Sequence, residues 1–456
     1  MRGVAFFLLF VAMLPAAFSA APAAMMLWVW TSLASPQAYV FGGLADLPYS
    51  KIVVVVAVLA LLVDKGRKRI YVDAYVVFLT LFMLQAALSF AFGITSIDRI
   101  YGLADRIWKI YLLCLLVSAT LQGRLQIHAV VLAICLGAGI HGVIEGAKFV
   151  ETAGGHIVIA PSSFGDNNNL GLFMLMTVPL LMYLRRYSVA PIVRLGAAGG
   201  ILMNLIGVIA TGSRGAFIGM IAVTLGMIQQ SKRKGLMIFT VVIVGVLLAS
   251  VAPKRLYERV DTIQTATQDD SFMGRVMSWK MNTILALDRP LTGGGFSAME
   301  DPAIFQKYLS RFGSLSFIPT DIPIIPRAAH SIYFEVLGDM GFSGLFFFLA
   351  ILVTTFWNLR DIRKATRGNA ALQWAFDLAG YLRLTLIAYV ISGAALSVVY
   401  YELVFAVFTL ISVLRKTVRD ELPSPQRRPG VVLAGQASAR TGRPALTLGA
   451  QPPARF

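Results

Sequence analysis

Apolar runs of about 15 to 25 residues follow one another along most of the chain, long enough to cross a hydrocarbon layer of roughly 30 Å as helices. They fall near residues 4–20, 23–35, 50–64, 73–93, 107–121, 126–147, 169–184, 193–211, 214–230, 235–252, 329–358, 374–399 and 401–414. Backbone polar groups in lipid must pair within the segment, so the runs are expected to be helices. Pro15, Pro22 and Pro36 break or bound the first two. The expectation is therefore an all-α polytopic membrane protein of about 12 spans. Composition agrees: 57% of the 456 residues are hydrophobic and 14% charged, where a soluble domain carries about 25% charged residues.

The formal net charge of +17 suggests nucleic acid until its distribution is read. Lys65, Arg67, Lys68 and Arg69, then Arg185, Arg186 and Arg194, then Lys232, Arg233 and Lys234 sit between apolar runs. So do Arg360, Arg363, Lys364 and Arg367, and Arg415, Lys416 and Arg419. These are cytoplasmic anchors under the positive-inside rule and point away from nucleic acid. Working outward from them, residues 94–106, 149–168, 211–214 and 253–328 fall on the outer side and the C-terminus inside. Residues 1–20 resemble a secretory signal, but apolar sequence resumes at once, and the segment reads as a retained first membrane helix. Cys114 and Cys135 have neither zinc-ligand nor redox spacing and read as small buried hydrophobes.

Four parts follow: N-terminal transmembrane helices over 1–252, a large outer loop over 253–328, C-terminal transmembrane helices over 329–420 and a disordered tail over 421–456, where Pro, Gly, Ala and Arg dominate. The loop is far longer than the other connections, and long loops in compact bundles are usually functional. Two helical pieces are expected in it, Lys254 to Asp261 and Met273 to Leu287. In the second, Val276, Trp279, Thr283, Ile284 and Leu287 recur at helical spacing, an apolar face for the bundle or the bilayer surface. Pro290 and Gly293-Gly294-Gly295 end it.

Chemistry concentrates on the outer side. His330 sits where the loop re-enters the membrane and is free to exchange a proton near neutral pH, unless it is only a headgroup-level histidine. Glu335 and Asp339 follow in the same apolar run, and buried carboxylates of this kind either face a wet cavity or bond a neighbouring helix. Arg214, in the tight turn Thr211-Gly212-Ser213-Arg214, offers a bidentate fork for an anionic oxygen, or snorkels to lipid phosphate. Arg275, with Lys280 nearby, offers a second cation from the loop. Two converging arginines neutralise a diphosphate without a metal, and no carboxylate cluster has magnesium-ligand spacing. Asp166 and Asn167, in Phe164-Gly165-Asp166-Asn167-Asn168, suit sugar hydroxyls or simply cap the next helix.

Thr-Gly-Ser-Arg-Gly-Ala at 211–216, Gly-Arg-x-x-x-Trp-Lys at 274–280, Asp-Arg-Pro-Leu-x-Gly-x-Gly-Phe at 288–296 and His-Ser-x-Tyr-x-Glu-x-Leu-Gly-Asp-x-Gly at 330–341 together resemble the O-antigen ligase and polymerase superfamily. Phe-Gly-Asp-Asn-Asn at 164–168 and the pattern from Trp28 to Pro36 further resemble its O-glycosylation ligase branch. The resemblance implies a glycosyltransferase of the GT-C-like, lipid-linked type in the bacterial inner membrane. It implies transfer of a glycan from undecaprenyl diphosphate to a sugar hydroxyl of lipid A-core, at the periplasmic face, with inversion and without metal or other cofactor. Carried over, Arg214 and Arg275 hold the diphosphate, Arg289 ranks behind Arg275 for that place, and His330 is the base. Lys280, Glu335, Asp166 and Asn167 are expected to support them. The same donor chemistry serves an O-antigen polymerase or a protein O-glycosylation ligase, and a transporter of lipid-linked sugars would bind the same anions without transfer.

Overall fold

The computed structural model describes residues 2–38, 40, 42–66, 70–161, 164–251, 270–315 and 319–422. Among the described residues only helices, turns and coil occur. Each apolar run of the sequence lies on a helix: α1 (Arg2–Ser19), α2 (Ala21–Ala34), α3 (Tyr49–Val63), α4 (Ala74–Phe92), α5 (Ile97–Thr120), α6 (Gly123–Glu151), α7 (Asn167–Tyr187), α8 (Pro191–Ala210), α9 (Arg214–Gln230) and α10 (Lys234–Val251). The loop contributes α11 (Asp270–Asp288) and α12 (Pro302–Leu309), and α13 (Ile332–Thr366), α14 (Gln373–Gly393) and α15 (Glu402–Glu421) follow. The expected helix from Lys254 to Asp261 and the tail lie outside the described residues.

By length and composition, α4, α6, α8, α13 and the segment Ala370–Gly393 can cross a membrane. Helices α2 and α3 and the apolar part of α1, Phe6–Ser19, are shorter. α7 and α15 carry polar ends, Asn167 to Asn169 and Arg185-Arg186 on one, Glu402 and Arg415-Lys416 on the other.

α7 is buried almost continuously from Asn169 to Leu184, and α15 from Leu403 to Leu414. A helix that is apolar all round belongs at the centre of its bundle. α6 packs on α2, α7 and α8, while α14 packs on α7, α9 and α13. Between α6, α7 and α8, the fully buried Asn204 donates to the carbonyls of Gly139 (3.0 Å) and Gly200 (2.8 Å) and accepts from Thr177 Oγ1 (3.1 Å). Polar cross-links of this kind are worth about 0.6 kcal/mol each in membrane bundles.

α11 meets the bundle as its sequence predicts, through Trp279 on Phe334 of α13, while part of its apolar face turns into the loop. Val276 and Ile284 are buried as expected, but Leu287 is exposed. Met281, Ile284 and Leu285 instead join Ala298, Met299, Ile304, Phe305, Tyr308 and Phe312 in an apolar cluster internal to the loop. The other side of α11 lies on α13.

Candidate active site at the start of α13

α13 is not one continuous rod. At Gly341 the backbone takes φ 70° and ψ −168°, a conformation that only glycine adopts without strain. A helix broken there would leave buried backbone groups unpaired, at about 1–3 kcal/mol apiece. The segment after α11 supplies their partners. Gly294 N–H donates to Gly338 O (2.9 Å), Gly295 N–H to Asp339 O (3.1 Å), and Phe342 N–H to Pro290 O (2.8 Å). Ser89 and Gln85 of α4 add bonds to the carbonyls of Asp339 (2.6 Å) and Met340 (3.1 Å).

This arrangement accounts for several residues of the sequence motifs. Asp339 accepts from Ser297 N–H (2.9 Å) and Tyr400 O–H (2.9 Å), so its carboxylate ties the glycine turn to the connection between α14 and α15. Glu335 accepts from Val399 N–H (3.3 Å). Arg289 donates through Nε to Gly293 O (2.7 Å) and through a terminal nitrogen to Phe92 O. Lys280 is buried and donates to Thr320 Oγ1 (2.8 Å), with its ammonium over the Phe312 ring, inside the loop's own apolar cluster. Burial lowers its pKa.

His330 stands immediately before α13. Its backbone is left-handed (φ 47°), uncommon for a residue with a Cβ, and its N–H is held by Ser397 Oγ at 2.8 Å. Burial is the first cause that depresses its pKa below the ordinary histidine value; the positive charges of Arg275 and Arg327 add to it, and Asp166 opposes them. The imidazole is therefore neutral near pH 7. Strained backbone that the surroundings over-determine is characteristic of functional positions.

α11 brings Arg275 here through its aromatic face. Trp279 stacks on Phe334 (centroids 5.1 Å apart, planes within 8°), and Arg275 lies one turn before Trp279. Arg327 is exposed and lays its guanidinium across Gly274, where a Cβ would come within 2.3 Å of it. The sequence reading passed over Arg327, although it is only three residues before His330.

The start of α7 reaches the same place. Asp166 caps the helix by accepting from Asn169 N–H (2.8 Å). Asn167 accepts from Ala160 N–H (2.8 Å) and donates to Val158 O (2.6 Å), which fixes the incoming strand of chain. Arg214 opens α9 behind the capping residue Ser213, which accepts from Ala216 N–H (3.2 Å). The next residue, Gly215, packs on Ser392, Ala395 and Leu396. The start of α9 thus packs near the segment whose Ser397 holds the His330 N–H, whereas the charges of Arg275, Arg327 and Asp166 act on the imidazole itself.

Beside the arginines lies a cleft of about 600 Å³ lined by Met273, Met277, Met281, Ile322, Ile324 and Ile325, with Arg327 and Ser278 among its polar groups. Around the start of α13 and of α7, Ser331 Oγ, Trp279 Nε1 and Asn169 Oδ1 are buried without a partner among the described residues, and such groups are unusual away from a site that binds something polar.

Residues 199–349 match the O-antigen ligase family. This span holds Arg214, Arg275, Arg289, Arg327 and His330. Over this segment the chain is similar to the O-antigen ligase superfamily. That likeness and the apolar helices together mark a membrane protein. Residues 1–189, which include Asp166 and Asn167, match a family of unknown function. Among curated proteins, none matches the chain. The His330 region therefore draws on both matched segments: α11 and α13 from one, the start of α7 from the other.

Proposed function

We propose that the protein is an O-antigen ligase of the bacterial inner membrane, of about 12 spans, which transfers a glycan from undecaprenyl diphosphate to a sugar hydroxyl of lipid A-core. The observation that carries this reading is a neutral, backbone-strained histidine beside two loop arginines and next to an apolar cleft. His330 takes the proton of the acceptor hydroxyl as its oxygen attacks the anomeric carbon. The bond from that carbon to the diphosphate oxygen breaks, and its electron pair leaves with the diphosphate. Attack opposite the leaving group inverts the anomeric centre.

A diphosphate departs readily once its charge is stabilised, and preorganised guanidiniums supply that stabilisation. Arg275 and Arg327 are assigned to the departing oxygens and Arg214 to the far side of the diphosphate. Arg289 and Lys280 are assigned to holding the loop, since their donors are engaged within it. Asp166 and Asn167 position the start of α7, and Glu335 the connection at Val399. The cleft of methionines and isoleucines takes the first isoprene units, methionine being adaptable to an irregular chain. In this reading residues 253–328 form the periplasmic loop between two sets of transmembrane helices, and the active site faces the periplasm.

Reconstitution with purified lipid-linked polysaccharide and lipid A-core tests it. Transfer by the native protein, lost in His330→Ala while donor still binds, is the expected result. Transfer at the native rate in that variant would remove His330 as the base. Supplying a second lipid-linked unit or a pilin instead of lipid A-core separates ligase from polymerase and from protein glycosylation. Movement of donor without transfer would mark a transporter.

A further inference from the structure

A second group of cations lies on α13 and α14, away from His330. Arg383 lies within α14, ten residues beyond Gln373 and so about 15 Å along the helix, flanked by the buried Leu382 and Leu384. Among the described residues its Nε is buried without a hydrogen-bond partner. One turn earlier, Gly380 has no side chain, and Gln230 of α9 fills the notch: a Cβ there would come within 2.6 Å of Gln230 Oε1 and 3.8 Å of an Arg363 terminal nitrogen. Arg363 donates to Gln230 Oε1 (3.3 Å) and stands over the Phe376 ring (4.7 Å). The amide's other end, Gln230 Nε2, is also buried without a partner.

Charge makes the arrangement costly. Arg383 and Arg367 lie close enough to act on Arg363 as like charges. The carboxylate that acts on Arg363, Asp377, is engaged by Arg186 (3.2 Å), Gln373 (3.0 Å) and Tyr187. Asp361 pairs with Arg415 (2.9 Å). An arginine inside an apolar helix, beside another arginine, with its own Nε and the neighbouring Gln230 amide nitrogen unpaired among the described residues, calls for a compensating group.

We propose that Arg363, Arg383 and Gln230 form a binding site for a phosphate group, held between α9, α13 and α14 beside the Gln230 amide that occupies the Gly380 notch. The guanidinium fork matches two phosphate oxygens, and basic pockets between membrane helices on the cytoplasmic side suit anionic lipid headgroups. The lipid diester and free phosphate share this chemistry. Nothing in the transfer reaction requires the site, so it stands or falls apart from the proposed function.

The test uses the full-length protein, delipidated in detergent and studied by native mass spectrometry and thermal unfolding. Phosphatidylglycerol, phosphatidylcholine or inorganic phosphate is added. The expected result is one tightly held phosphatidylglycerol per chain, with phosphatidylcholine bound at least about tenfold more weakly. Arg383→Gln and Arg363→Gln each weaken phosphatidylglycerol about tenfold, and Arg360→Gln, at an exposed position of α13, leaves it unchanged. Competition by millimolar inorganic phosphate with the same dependence on Arg383 and Arg363 supports the site with free phosphate as its source. Equal binding of the two lipids by the native protein overturns the proposal, and that comparison remains decisive if the variants do not fold. Equal loss in Arg360→Gln overturns it as well, leaving the arginines as general anchors.

Discussion

The loop between α11 and α13 has two stretches that treat their polar groups in opposite ways. From Arg289 to Ser297, the guanidinium and a series of backbone amides are spent on carbonyls and on the Asp339 carboxylate. From Arg327 to Ser331, a guanidinium is exposed, a histidine sits in left-handed backbone and a serine hydroxyl is buried without a partner. Both stretches contain arginine and both carry family motifs. The difference teaches that a motif cation is structural where carbonyls of its own fold lie within reach, and available for chemistry where they do not.

The sharpest way to break the contrast is at its active pole. His330→Ala should lower transfer by about 10²–10⁴-fold, the range for loss of a general base. A fall below tenfold in a steady-state assay would place the chemistry elsewhere. Arg275→Ala and Arg327→Ala should each cost about 10²-fold in kcat, as the loss of one donor to a developing anion does. Arg289→Ala should act through thermal stability instead, with kcat of the folded fraction little changed. A kcat loss in Arg289→Ala matching that of Arg275→Ala would erase the distinction between the stretches.

The pH profile sharpens it further. His330 is depressed below the usual histidine value, so the neutral base persists to lower pH, and activity should fall only as pH drops through that lowered value. Removing a positive neighbour in Arg275→Gln or Arg327→Gln should move the acid limb of kcat/KM to higher pH. Asp166→Asn should move it lower. An acid limb that stays fixed in all three variants would show that another group titrates there. At the structural pole, Asp339→Ala leaves Ser297 N–H and Tyr400 O–H without their acceptor and should destabilise by about 1–3 kcal/mol. Asn204→Ala, remote from both stretches, removes two interhelical bonds and should cost roughly 1.2 kcal/mol by unfolding in mild denaturant.

Hydropathy made the helices legible, because every apolar run from 4–20 to 401–414 lies on one. It could not show the break in α13, since Gly341 stands inside a single apolar run and the partners of the broken turn come from residues 290–295 and from α4. The outer-side motifs were legible as a group, yet the destinations of Arg289 and Lys280 were not. Which carbonyl or hydroxyl a cation meets depends on the path of the backbone. Arg327 gave one usable signal, its position three residues before His330. Asp166 was legible as a cap from its place before an apolar run, but its electrostatic reach to His330 depends on how α7 meets α13.

The break in α13 also decides where this protein tolerates engineering. Residues 290–295 act as a splint, with the amides of Gly294 and Gly295 and the carbonyl of Pro290 matched to the fractured helix, so even a single inserted residue would shift these groups off their partners. Residues 321–325 carry no such duty, and most of them are exposed. A fluorophore or short epitope belongs there, where it would report on the mouth of the cleft without unseating the helix beneath.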